Sequence, residues 1–208
     1  MSARVMIPKN SVPVVFVALL TAGWLTGCGA NATNSSSDTP TAAGGSETVA
    51  PEHNPVGDIP DTQVYVPYGP PSQLFTMSVP EGWAQTNDGA ATVFTDKLNA
   101  VRIEINPFLD TLTPDVVRQE ELPAIQAASP GYRFGAVSVV QRKAGPVILA
   151  TYQVDSTPNE VTGKRGVDAV ERYSFWSDGH EAVLTLSGPV GADNVDPWRT
   201  ITDSLRWQ

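Results

Sequence analysis

The chain has 208 residues, with 13 Lys and Arg against 22 Asp and Glu, a formal charge of −9. So acidic a chain is a poor nucleic-acid binder, because phosphate contacts need clustered cations. A single cysteine, Cys28, excludes intramolecular disulfides and multi-cysteine metal sites, so the folded part must stand on its hydrophobic core.

The N-terminus carries Arg4 and Lys9, then an apolar run over residues 14–20, then Leu25-Thr26-Gly27-Cys28. That order of charge, apolar stretch and small-residue exit is the pattern of a secretory signal. The run is short for a membrane span, which needs about 20 apolar residues, and Pro8, Asn10, Ser11 and Pro13 stand just before it. An unlipidated signal would leave the one cysteine at the cleavage position by chance. The four residues resemble the lipobox of bacterial lipoproteins. The resemblance implies cleavage after Gly27, a diacylglycerol on the Cys28 sulfur, and a protein held on the extracytoplasmic face of the cell membrane. Removal of residues 1–27 leaves 11 Lys and Arg against 22 Asp and Glu.

Residues 28–73 are predicted to be a tether. Asn, Ser, Thr, Gly, Ala and Pro dominate residues 30–50, and too little apolar surface is present to offset the ordering entropy. Its acids (Asp38, Glu47, Glu52, Asp58, Asp61) have no Lys or Arg among them. Val64-Tyr65-Val66-Pro67-Tyr68 is more apolar and could dock as an ordered lead-in. The segment as a whole is expected to be dispensable, so that a chain starting near Gln73 melts at nearly the full-length temperature.

The folded domain is predicted over residues 74–208, and strands dominate it. Residues 74–79 form a short run stopped by Pro80-Glu81-Gly82, and residues 91–95 a second. Val101, Ile103 and Ile105 alternate with Arg102 and Glu104, the period of two of a half-buried antiparallel strand. Residues 134–140, 147–154, 167–176 and 182–187 are further strands. Gly145-Pro146 and Asp178-Gly179 separate neighbours at hairpin distance. Val147-Ile148-Leu149-Ala150 is apolar throughout and predicts a central strand covered on both faces.

Two helices are expected. Thr113 caps the first, with Pro114 at its start and Asp115 in the first turn; Pro123 inside it predicts a kink near Glu121. The second is placed at Asp196-Pro197, with Trp198, Ile201 and Leu205 as one apolar stripe. The architecture is α+β: an antiparallel sheet with helices packed on it.

No catalytic constellation emerges. Of two histidines, His53 lies in the tether and His180 beside a hairpin turn. Neither a Gly-x-Ser-x-Gly elbow nor a phosphate loop is present, and no cofactor or metal is expected. Asp193, Asn194 and Asp196 lack the spacing of a calcium loop, and helix capping accounts for them. Glu120-Glu121 reads as a solvated helix face. Tyr173 and Phe175 share one strand face and Trp176 takes the other; these and Trp83, Trp198 and Trp207 read mostly as core. The loop 157–166 is the candidate partner contact. Gly163 and Gly166 permit unusual backbone angles there, and Lys164 and Arg165 set two cations on an acidic domain.

Phe75-Thr76-Met77-Ser78-Val79-Pro80-Glu81-Gly82-Trp83 opens the domain; Phe94 precedes a strand ending in Pro107; a helix leads to Ser129-Pro130-Gly131; the chain closes on Ser204-Leu205-Arg206-Trp207. In these features it resembles the LpqN/LpqT-type lipoproteins of mycobacteria and related actinobacteria, and the broader PsbP/Mog-like fold. The resemblance implies a non-enzymatic accessory or binding domain on the outer side of the membrane. The first expectation is a lipid-anchored binding or accessory module of the cell envelope that contacts another envelope protein. The alternative expectation is a carrier of a lipid or other apolar ligand held between sheet and helices.

Overall fold

The computed structural model describes residues 55–107, 112–158 and 162–208. Cys28, the signal-like segment and the Asn/Ser/Thr-rich stretch lie outside them.

A seven-stranded antiparallel sheet organises the domain. Its strands are β3 (Ala84–Asp88), β4 (Ala91–Thr95), β5 (Ala100–Pro107), β6 (Arg133–Arg142), β7 (Gly145–Asp155), β8 (Val167–Ser177) and β9 (His180–Pro189), in the order β3-β4-β5-β9-β8-β7-β6. A smaller sheet has β2 (Phe75–Pro80) between β1 (Tyr65–Tyr68) and β10 (Arg206–Trp207).

The period-two pattern sends alternate side chains to opposite faces, and each face has its own core. Val101, Ile103, Val147, Tyr173, Phe175, Leu184 and Leu186 pack with Phe75, Met77 and Val79 of β2. The same core takes Trp198, Ile201 and Leu205, from helix α3 (Val195–Asp203) and the residues just after it. On the other face Val137, Ile148, Ala150, Tyr152 and Val170 pack with Val117 and Leu122. Those two belong to a helical run: α1 (Pro114–Val116), a π-helical stretch at Val117–Glu121, and α2 (Leu122–Ala128). Val147 and Ile148 thus enter different cores, as their unbroken apolar run predicts, although β7 is the second strand from the edge. The π-helical stretch ends one residue before Leu122-Pro123, where the proline ring disfavours the regular backbone ladder.

Several local expectations shift. The β6–β7 turn is Lys143-Ala144, not Gly145-Pro146. Pro146 sits inside β7, before the pairing with β8 begins at Ile148, so its missing N–H breaks no ladder bond to that strand. Asp178-Gly179 does turn β8 into β9, with φ of 47° and 78°. Thr113 caps α1 through Val116 N–H. In α3 the cap position belongs to Asn194, so Asp196 and Pro197 fall within the first turn. The Asn194 side chain makes no capping bond because it is used elsewhere.

The predicted tether is corrected at its C-terminal end. Ile59 is 3% exposed in the main core, and Tyr65–Tyr68 pairs with β2. Asn194 Nδ2 donates to Gly57 C=O (3.1 Å) and to Asn99 Oδ1 (3.0 Å), Asn99 Nδ2 donates to Gly57 C=O (3.0 Å), and Ile59 N–H donates to Asn194 Oδ1 (2.8 Å). Asn99 and Asn194 are both buried, so this amide clasp pins residues 57–59 between β5 and α3. A Cβ at Gly188 would lie 2.3 Å from Asn99 Oδ1, which is why the strand beneath the clasp carries glycine. Within the described residues, then, the packed unit begins well before Leu74.

Candidate functional site

Of the residues singled out from sequence, Cys28 lies outside the described residues. Lys164 and Arg165 are exposed in the β7–β8 loop. The loop base is tied: Ser156 N–H donates to Gly166 C=O (3.1 Å), Gly166 N–H donates to Ser156 Oγ (2.8 Å), and Arg165 Nη1 donates to Ser156 C=O (3.2 Å). Residues 159–161 at its tip fall outside the described residues.

Among the described residues, β6 ends the seven-stranded order and has no neighbour beyond it. Most of its ten residues are exposed, including Phe134 at 55% and Val139 at 54%. Its sequence combines two arginines with no acid. Residues 122–154, which make α2, β6 and most of β7, contain no Asp or Glu in a chain that has 22. Arg118 reaches over from the helical run and donates through Nη2 to Val137 C=O (2.8 Å). Beside it lies a shallow groove of about 250 Å³, lined by Arg118, Leu122, Pro123, Gln126, Tyr132 and Phe134.

A second cleft of about 570 Å³ holds Lys143, Arg199 and Arg206 with Asp196 and Asp203. Asp203 accepts from the Lys143 backbone N–H (3.2 Å) and lies 3.7 Å from Arg199 Nε, so one of the cleft's three cations is paired. With both signs interspersed, the cleft presents no field of a single sign to a ligand.

The third feature is buried. Arg172 Nη2 donates to Glu121 Oε2 (2.5 Å), with side-chain exposures of 10% and 18%. Glu181 is 3% exposed and accepts from Asn106 Nδ2 (3.3 Å). Among the described residues, Glu121 Oε1, Arg172 Nη1 and Glu181 Oε1 find no hydrogen-bond partner. Burial pushes the Glu121 carboxyl above its ordinary value; Arg172 opposes this, and the nearby charge of Glu181 adds to it. The expectation of a solvated face at Glu121 is therefore corrected. The π-helical stretch turns Glu121 onto the sheet, while Glu120 stays exposed. Nothing in the local sequence signals the contact, because Arg172 is 51 residues away.

The aromatic reading holds for Tyr173 and Phe175, each 1% exposed, and Trp198 at 7%. Trp176, on the opposite face of β8, is 47% exposed.

No protein-family model matches the chain, and no curated protein does. Solved structures do. Cyanobacterial PsbP from Synechocystis is 13% identical with a TM-score of 0.51, over 74% of this chain and 100% of that one. A Bacteroides thetaiotaomicron protein is 16% identical with a TM-score of 0.46 over 68% of this chain, which spans only 48% of its length. LpqN of Mycobacterium tuberculosis, involved in cell envelope biogenesis, is 15% identical with a TM-score of 0.36, over 70% of this chain and 86% of that one. The PsbP match establishes the fold as α+β and PsbP-like.

Proposed function

We propose that this chain is a lipid-anchored, non-enzymatic binding module of the bacterial cell envelope, attached through Cys28 on the extracytoplasmic face and contacting another envelope protein. The observation that supports the reading is a domain with filled cores and an exposed, acid-free edge. Phe75, Tyr173, Phe175, Leu184, Leu186 and Ile201 are at most 1% exposed where sheet meets α3 and β2. A carrier of an apolar ligand needs a cavity at that interface; here side chains occupy it. Exposed apolar side chains on an edge strand instead suit a protein contact. Among the described residues no helix is long and apolar enough to cross a membrane; the anchoring role given to Cys28 rests on the Leu25-Thr26-Gly27-Cys28 pattern.

Two acyl chains hold a protein stably where one does so only marginally. Cys28→Ala is therefore expected to release the protein into the soluble fraction or to leave an unprocessed precursor, read by fractionation and mass spectrometry. Normal processing with full membrane retention would overturn the anchor. Crosslinking in the native envelope tests the module itself. The loop carrying Lys164 and Arg165 is one candidate contact. Lys164→Glu with Arg165→Glu should leave the melting temperature within about 2 °C, as surface changes do. Loss of crosslinks would place the partner at this loop, and unchanged crosslinks would remove it.

A further inference from the structure

We propose that β6 is a strand-addition edge for an extended acidic segment of a protein partner. This rests on the binding-module reading above and adds the surface and the chemistry of the partner.

The backbone pattern supplies the first argument. Lys143-Ala144 is a two-residue turn, so Arg142–Gly145 is a hydrogen-bonded pair, as are Val140–Val147 and Ser138–Leu149. The residues between, Val137, Val139 and Gln141, turn their N–H and C=O groups outward. Two of those three carbonyls are already taken by guanidinium groups: Arg118 Nη2 on Val137 C=O and Arg142 Nη1 on Gln141 C=O (3.0 Å). Among the described residues this leaves three N–H donors and the Val139 carbonyl wholly free, with one lone pair each on the Val137 and Gln141 carbonyls. An edge left rich in donors and bordered by arginines favours a strand that brings acceptors and negative charge.

Charge supplies the second. Arg133 and Lys143 flank an edge on which β6 itself has no acid, and Arg118 beside them is balanced by Asp115. The acids that do approach are spoken for. Asp115 pairs with Arg118 (2.9 Å), Asp203 accepts from Lys143 N–H, and Glu171 accepts from the Tyr173 hydroxyl that Arg142 also contacts. A second copy of this chain is the wrong occupant, since two β6 edges would set Arg133 and Arg142 of one against those of the other. A flat anionic membrane could meet the cations but would leave the outward N–H groups unused. The groove beside Phe134 has room for one apolar side chain of the incoming segment.

The test uses the full chain in detergent and a fluorescent peptide alternating Glu and Val around one Phe, with a Lys-for-Glu counterpart. Val139→Pro removes the central outward N–H without touching a β6–β7 ladder bond. The acidic peptide should bind and protect the Val137, Val139 and Gln141 amides from hydrogen exchange. Binding should weaken about tenfold or more, 1.4 kcal/mol, in Val139→Pro, in Arg133→Glu with Lys143→Glu, and for the Lys peptide. Should Val139→Pro lose its melting transition, the charge pair, exposed on the surface, decides alone. Equal binding of the two peptides, protection confined to other amides, or binding unchanged in the variants would each overturn the proposal. So would binding to phosphatidylglycerol vesicles, lost in the charge variant, without peptide binding. Self-association through β6 would overturn it too. Envelope crosslinks from other surfaces with none from β6 would sink this inference and leave the binding-module reading standing.

Discussion

A chain beginning at Gln73 is expected to melt far below the parent, or not to fold. The truncation removes Ile59 from a core where it is 3% exposed, and a buried aliphatic side chain contributes about 2–5 kcal/mol. It strips β1 from β2, exposing Met77 and Val79, which lie in the same core. It also takes away Gly57 C=O and Ile59 N–H, leaving Asn99 and Asn194 buried with fewer partners; an unsatisfied buried polar group costs about 1–3 kcal/mol. The sum, about 5 kcal/mol or more, is comparable with the whole stability of many domains. For a unit of this size it corresponds to a fall of about 15 °C or more in Tm. A chain beginning at Pro55 keeps all of these contacts and should melt close to the parent. Calorimetry on the two chains checks this, and coincident melting would show that the clasp contributes little.

The second large effect is expected from Arg172→Ala. Arg172 lies against Glu121, and the charge of Glu181 is felt at the same carboxyl. Removing the cation leaves the half-buried Glu121 and the buried Glu181 unbalanced; breaking a fully buried pair by deleting one partner costs about 3–5 kcal/mol, and partial exposure of Glu121 puts the loss toward the lower end. The pH dependence separates this from mere lost packing. The Glu121 carboxyl is raised in the folded state, so between its ordinary value of 4.5 and its folded value the native state binds more protons than the unfolded one. Stability from this group therefore falls as pH rises through that window and is recovered as pH falls through it. Deleting Arg172 removes the influence that holds the carboxyl down, so the variant's deficit should be largest at neutral pH and should shrink on acidification. A deficit independent of pH would mean that lost packing, not unpaired charge, destabilises the variant. Arg172→Ala combined with Glu121→Gln should recover part of the loss at neutral pH, because one of the two charges is gone.

The fold was legible where its signals are local. Val101–Ile105 alternates and is a strand; Thr113-Pro114 starts a helix; Asp178-Gly179 turns a hairpin. Each is decided by neighbours two to four residues away, through side-chain alternation, a cap or a tolerated positive φ. Trp198, Ile201 and Leu205 were readable for the same reason. The exposed strand β3 and the two-residue β10 carry no apolar period of their own and exist because β4 and β2 offer them edges.

What the tertiary structure alone decided is which distant groups meet. Residues 57–59 lack any periodic apolar face, yet Ile59 packs into the main core, and amides 95 residues apart close over it. Glu121 reads as one of two neighbouring helix acids until the π-helical turn faces it to Arg172. The standing of β6 as the free edge follows from strand order, and strand order depends on which pairings bury both cores at once. Local propensity carries no record of that sum, because the free energy belongs to contacts between segments far apart in the chain.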